Sequence, residues 1–119
     1  MSELRTVPQS EWRAFFDGMS RALLGKWAEI EVASLALGDQ VVAEWVPMLG
    51  ITYDDRDDLL DVALDRGSHL IRHPREIAVE ETAAGLASVA ILTEEKEQQI
   101  VRLKEPLMLP AATARSAKA

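Results

Sequence analysis

The chain has 119 residues, 48% of them hydrophobic and 28% charged, with no cysteine and a formal net charge of −7. That length supplies one domain with a core of its own, and the lack of thiols excludes a disulfide framework and thiolate metal ligation. Twenty acidic against thirteen basic residues weigh against nucleic acid, whose binding rests mainly on Lys and Arg neutralising phosphates.

The opening Met1-Ser2-Glu3-Leu4-Arg5 has no apolar run behind a basic region, so no secretory signal is expected. No apolar stretch reaches the length of a membrane span. The expectation is a cytoplasmic protein of bacterial type.

The first predicted element is a helix over Ser10–Leu24. Ser10 can cap it, Glu11 suits the positive end of the helix dipole, and Gly25 stops it. Trp12, Phe15, Phe16, Met19 and Leu23 recur at spacings of three and four, which puts them on one stripe. So short a helix is marginal alone, and its stripe needs a sheet to pack on.

From Lys26 the period changes to two. Ala28, Ile30 and Val32 alternate with Glu29 and Glu31, the pattern of a half-buried strand. After a turn at Gly38-Asp39, residues Gln40–Asp54 read as one long strand bent at Pro47 and Gly50, or as two edge strands. The acidic run Asp54–Asp58 is a turn, and Leu60, Val62 and Leu64 mark a return strand. His69–Glu81 is extended, with Pro74 at an edge or bend. Leu86–Leu92 and Gln98–Lys104 form a terminal hairpin. The expected domain is residues 1–106. Residues 107–119 read as a disordered Ala/Pro/Ser-rich tail in which Leu107-Met108-Leu109 can dock locally.

The acidic turn invites a calcium reading, but neither register supplies the glycine at six and glutamate at twelve of an EF-hand loop. His69 and His73 have an i, i+4 spacing. In a strand they stand about 13 Å apart, too far to share one zinc ion. No metal site and no cofactor are expected. His69, Arg72, His73 and Arg75 are the one local positive cluster. They are read as a charged guard on a sheet edge, with an anion or interface contact as the functional alternative. No G-x-S-x-G elbow, Walker loop or G-x-G-x-x-G is present, so no catalytic residue is assigned. Trp12, Trp27 and Trp45 read as core or helix-to-sheet packing.

Three stretches carry a resemblance: Trp12–Asp17 with Ser20-Arg21, Val46–Asp54, and His69–Pro74 leading to Ile77–Glu81. Together they resemble a family of small bacterial proteins of unknown function, over most of residues 5 to 105. That likeness implies no activity and no site residues. The order helix, strand, long bent strand, return strand is also similar to Sm-like small barrels, with Gly50–Asp54 and Leu59–Val62 where their first motif lies. The RNA pocket does not carry over. The turn has Asp57-Asp58 in place of an asparagine, and the end reads Val101-Arg102-Leu103-Lys104 in place of Arg-Gly-Asp or Arg-Gly-Asn.

These readings give an α+β domain. Its N-terminal amphipathic helix packs on a strongly bent antiparallel sheet of five or six strands, with a small Sm-like or SH3-like barrel as the closed form. The function expected is a non-enzymatic binding or assembly module. A nucleic-acid-binding small barrel and an enzyme without a recognisable motif are the alternatives. A homo-oligomer is expected, dimer first, formed through the terminal hairpin as an open edge at Val89, Ile91, Val101 and Leu103. An unidentified protein partner is the other candidate; nucleic acid and membrane are not expected.

Overall fold

A computed structural model describes residues 3–34 and 38–108. It contains one helix, α1 (Trp12–Leu23), and eight strands. These are β1 (Glu3–Val7), β2 (Trp27–Ser34), β3 (Gly38–Asp54), β4 (Leu59–Leu64), β5 (Gly67–Arg72), β6 (Pro74–Thr82), β7 (Gly85–Thr93) and β8 (Gln98–Leu107). Hydrogen bonding joins them in the order β1-β6-β7-β8-β2-β3-β4-β5, every neighbouring pair antiparallel. The chain is therefore mainly β, and the expected sheet of five or six strands is corrected to eight. Two misreadings explain the difference. Glu3–Val7 shows too little alternation to mark a strand, and it forms one by pairing with Ala78 and its neighbours in β6. The run from His69 to Glu81 is two strands, broken at His73, whose φ of +55° turns the chain.

The sheet is not the closed Sm-like or SH3-like barrel either. β5 ends one side of the sheet and β6 lies next to the other end, yet only His73 separates them in sequence. The sheet must therefore curl until its two ends approach. Among the described residues no ladder joins β5 to β1 or β6. The core fills the inside of the curl: Ile30 (β2), Met48 (β3), Leu60 (β4), Ile71 (β5), Ile77 (β6) and Ile91 (β7) are all fully buried. Each such side chain contributes roughly 1.5–3 kcal/mol relative to exposure.

The helix begins later than its sequence suggests. Gln9–Glu11 form a 3₁₀ turn, Glu11 stands at the N-cap, and no side chain caps the helix, so Ser10 does not take that role. The stripe itself is as read: Trp12, Phe16, Met19 and Leu23 are buried, while Phe15 is half-buried beneath the Arg5 guanidinium at 5.8 Å. What the helix covers is not the face of a five- or six-stranded sheet but one edge of one strand. β3 changes partner along its length. Gly38–Pro47 pairs with β2, and Met48–Asp54 pairs with β4. On the side away from β4, the second half meets α1. Ser20 Oγ donates to the Ile51 carbonyl at 2.6 Å and accepts from the Ile51 N–H at 3.2 Å. Met48 exchanges two backbone bonds with Gly25 and Lys26 just past the helix. A hydroxyl and a helix exit thus take the place of a neighbouring strand. Gly50 allows the close approach, since a Cβ there would lie 3.1 Å from Ser20 Oγ.

The terminal hairpin is interior. β7 lies between β6 and β8, and β8 between β7 and β2. Val89, Ile91, Val101 and Leu103 are buried on strands paired along both sides, so they offer no edge for self-association. Leu107 belongs to the domain rather than to a tail: it is buried and pairs with Leu86. Met108 is exposed, and the tail expected over residues 109–119 lies outside the described residues.

A tryptophan-lined groove beside an open strand edge

The feature that sets up a site is the first half of β3. Its register against β2 slips twice, between Ala28 and Ile30 and again between Ile30 and Glu31. Each slip places an extra β3 residue against β2, and such bulges bend a strand and re-aim its side chains. Within this segment Trp45 has a φ of +48°. A bulky L-residue in the left-handed region is an outlier that costs about 1–3 kcal/mol and persists only where its surroundings hold it.

The result is a groove of about 710 Å³. One wall is Val42–Pro47 of β3; the other is Leu64–His69, the end of β4, its turn and the start of β5; Trp27 of β2 also lines it. The groove lies where β4 stops short. Asp65 N–H still reaches the Pro47 carbonyl at 3.1 Å, but beyond that point β3 has β2 on one side and, among the described residues, no strand on the other. Trp27 is 49% exposed, and its ring also borders a smaller groove where the Lys104 ammonium lies 5.9 Å from its centroid. Of the three tryptophans, only Trp12 is core. It donates from Nε1 to the Val7 carbonyl at 2.8 Å and meets Tyr53 edge to face at 5.2 Å. Trp27 is exposed and Trp45 half-buried, where the sequence reading placed both inside. The signal available was Trp45 itself, a large aromatic next to the bend residues of a strand whose alternation falters there.

The expected positive cluster does not converge. His69 Nε2 lies 2.7 Å from Gln99 Oε1. Because Gln99 donates its own amide to Glu97 at 3.2 Å, the imidazole donates and the amide oxygen accepts. This bond spans β5 and β8, which share no ladder, and so it ties the β5 end of the sheet across the curl to a strand in its middle. His73 Nδ1 pairs with Asp58 at 3.3 Å, and Arg75 with Glu94 at 3.1 Å, whereas Arg72 has no ion pair among the described residues. The two histidines face different elements, so they do not share an ion, and no group of three metal-ligand side chains occurs among the described residues.

The acidic turn joins β3 to β4 and its carboxylates serve the turn. Asp54 Oδ1 accepts from the Arg56 and Asp57 N–H groups at 2.9 and 3.2 Å, and Asp58 accepts from the Tyr53 hydroxyl at 2.8 Å. Burial, reinforced by that bond to Asp58, pushes the Tyr53 phenol up to about 12. On the outer face, Arg102 reaches Glu31 at 2.7 Å and Glu29 at 3.4 Å. Its hydrogen bond to Glu31 holds that carboxyl below the ordinary range, while Arg102 itself is raised.

Asp65, Ser68 and His69 share the groove, which raises the question of a nucleophilic triad. The geometry does not assemble one. Neighbours on a strand point to opposite faces, so Ser68 and His69 cannot pair, and the His69 donor is held by Gln99.

Fold and groove together define a small, mainly antiparallel-sheet protein with an aromatic groove beside an incomplete edge. Residues 3–112 match the family of unknown function DUF5335, and the chain belongs to that family. It is similar to an uncharacterised protein of Aquifex aeolicus, 34% identical over 107 residues that make up 89% of this chain and 96% of that one. No solved structure matches the chain. Among the described residues no helix is long and apolar enough to cross a membrane.

Proposed function

We propose that this protein is a non-enzymatic, cytoplasmic binding and assembly module whose working surface is the open edge of β3 with the adjoining Trp27–Trp45 groove. The observation that carries this reading is the pairing of β3 in two halves. Its second half has β4 on one side and α1 on the other, whereas its first half has β2 alone among the described residues. An unpaired strand edge offers backbone donors and acceptors at strand spacing, and an adjoining pocket then selects side chains. Trp27, Trp45 and Pro47 supply apolar surface in such a pocket, and Glu44, Asp65 and Arg66 line it with charge. The class of ligand is an extended polypeptide strand.

Selecting displayed linear peptides against the full chain tests the reading. Binders should be rich in β-forming residues, and their addition should slow amide exchange in residues 38–46 and shift the tryptophan emission. Binders that leave those amides as fast as before would place the working surface elsewhere.

A further inference from the structure

Several carboxylates of the sheet are engaged by cations of the same chain: Glu81 by Arg5, Asp58 by His73, Glu94 by Arg75, and Glu29 and Glu31 by Arg102. The two that line the groove are not. Glu44 and Asp65 stand on opposite walls, both exposed, and neither has an ion pair among the described residues. Arg66, next to Asp65 in the turn, is the single Lys or Arg of the lining and pairs with neither. With Nε2 donating to Gln99, neutral His69 keeps Nδ1 as a further acceptor. Trp45 shares the wall of Glu44. It is half-buried, left-handed in its backbone, and has no ring or cation against its indole among the described residues. Strained residues of this kind concentrate at ligand clamps. Trp27, by contrast, already has the Lys104 ammonium over its ring.

We infer that the groove receives a cationic side chain, the arginine or lysine of an extended polypeptide, with its charge between Glu44 and Asp65 and its stem against Trp45. This rests on the reading of the β3 edge and groove as the working surface, and it names the residue that the groove selects. An indole face attracts cations, more strongly where water is excluded. The net charge of −7 favours the approach of a basic partner from a distance. The alternatives fit less well. An acidic side chain would meet two carboxylates with Arg66 alone to hold it, and an apolar one would strip water from both carboxylates without replacing it. The two register slips bend the first half of β3 and interrupt a regular ladder, so discrimination between partners falls to the groove.

Three acetylated and amidated peptides of alternating Thr and Val, identical but for a central Arg, Gln or Glu, are titrated against the full chain at low and high salt. Tryptophan emission and calorimetry read the affinity, and amide exchange reads the place. At low salt the Arg peptide should bind at least about tenfold tighter than the Gln peptide, the scale of a partly desolvated cation on a ring beside two carboxylates. The Glu peptide should be the weakest, and added salt should narrow the differences. Glu44→Gln combined with Asp65→Asn should remove most of the preference for Arg, and Arg66→Gln should widen it. All three side chains are exposed, so the variants should melt with the parent chain. Equal affinities for the Arg and Gln peptides, a preference for Glu, no binding of the Arg peptide, or a preference untouched by the double variant overturns the inference. Binding without that preference that still slows exchange in residues 38–46 would leave the β3 reading standing. An Arg peptide that binds yet leaves those amides unprotected and ignores the double variant would sink both.

Discussion

The two halves of β3 belong to one strand and have opposite fates. From Met48 onward both sides of the backbone are engaged, by β4 and by α1, and Met48, Ile51 and Tyr53 are buried. Before Pro47 one side is open, the register slips twice, and Trp45 takes a left-handed backbone. Strand length alone does not place a segment in the core; what decides is whether both hydrogen-bonding sides are filled. The second half follows the rules of a packed interior, and the first tolerates irregularity because little is packed on it.

That contrast can be broken experimentally, and the largest test is on the closed side. Phe16 is fully buried in the stripe beneath which the second half of β3 lies. Truncation to alanine should cost about 3–5 kcal/mol in urea unfolding, while exposed Arg13→Ala should stay within about 0.5 kcal/mol. Equal effects would mean that α1 does not seal this half.

Next in size is Gly85→Ala. Gly85 has a φ of +125°, and a Cβ there would collide with the Leu107 carbonyl. Strain and overpacking together predict a loss of about 2–4 kcal/mol. A neutral result would show that the end of β8 is free to shift.

A smaller effect follows from Tyr53. Its phenol is held up to about 12 in the folded chain, against an unfolded value of about 10. Between those values the unfolded chain has released its proton and the folded one has not, so stability present below pH ~10 falls as pH rises through ~12. The loss should reach about 2 kcal/mol by pH ~12. Tyr53→Phe should remove that slope, measured as melting temperature against pH.

The smallest effect is expected on the open side. Trp45→Gly relieves a left-handed backbone worth about 1–2 kcal/mol and gives up the packing of a half-buried indole. The net change in chain stability should stay within about 1 kcal/mol. A cost matching Phe16→Ala would erase the distinction between the halves.

Much of the interior was legible in the sequence because it follows simple periods. The helix stripe from Trp12 to Leu23, the alternation of Ala28 and Ile30 with Glu29 and Glu31, and the turns at Asp54–Asp58 and Glu94–Glu97 all lie where periodicity puts them. What was not legible depends on partners distant in sequence. β1 is a strand only because β6 is there, and the terminal hairpin is interior only because β2 and β6 flank it. The groove escaped for another reason. Apolar alternation tells which residues can be buried, but it does not show the bulges and the missing neighbour that leave Trp27 exposed and Trp45 only half-buried. Likewise the His69–Arg75 cluster is contiguous in sequence but is dispersed across three elements by the turn at His73.

The register of the ladders also has a consequence for how the chain reaches this state. Glu3 pairs with Glu81 and Ala28 with Leu103, whereas β3, β4 and β5 form a meander of near neighbours. Contacts between distant residues must close long loops before they return any energy, which places such sheets among the slower folders, milliseconds to seconds. During synthesis the meander can pair as soon as it emerges, but β1 waits for β6 and β2 for β8. A ribosome adding about 5–20 residues per second therefore holds the N-terminal strand without its β6 partner for several seconds. The last strand made, β8, is the one that joins β2 to β7 and lets the curl form.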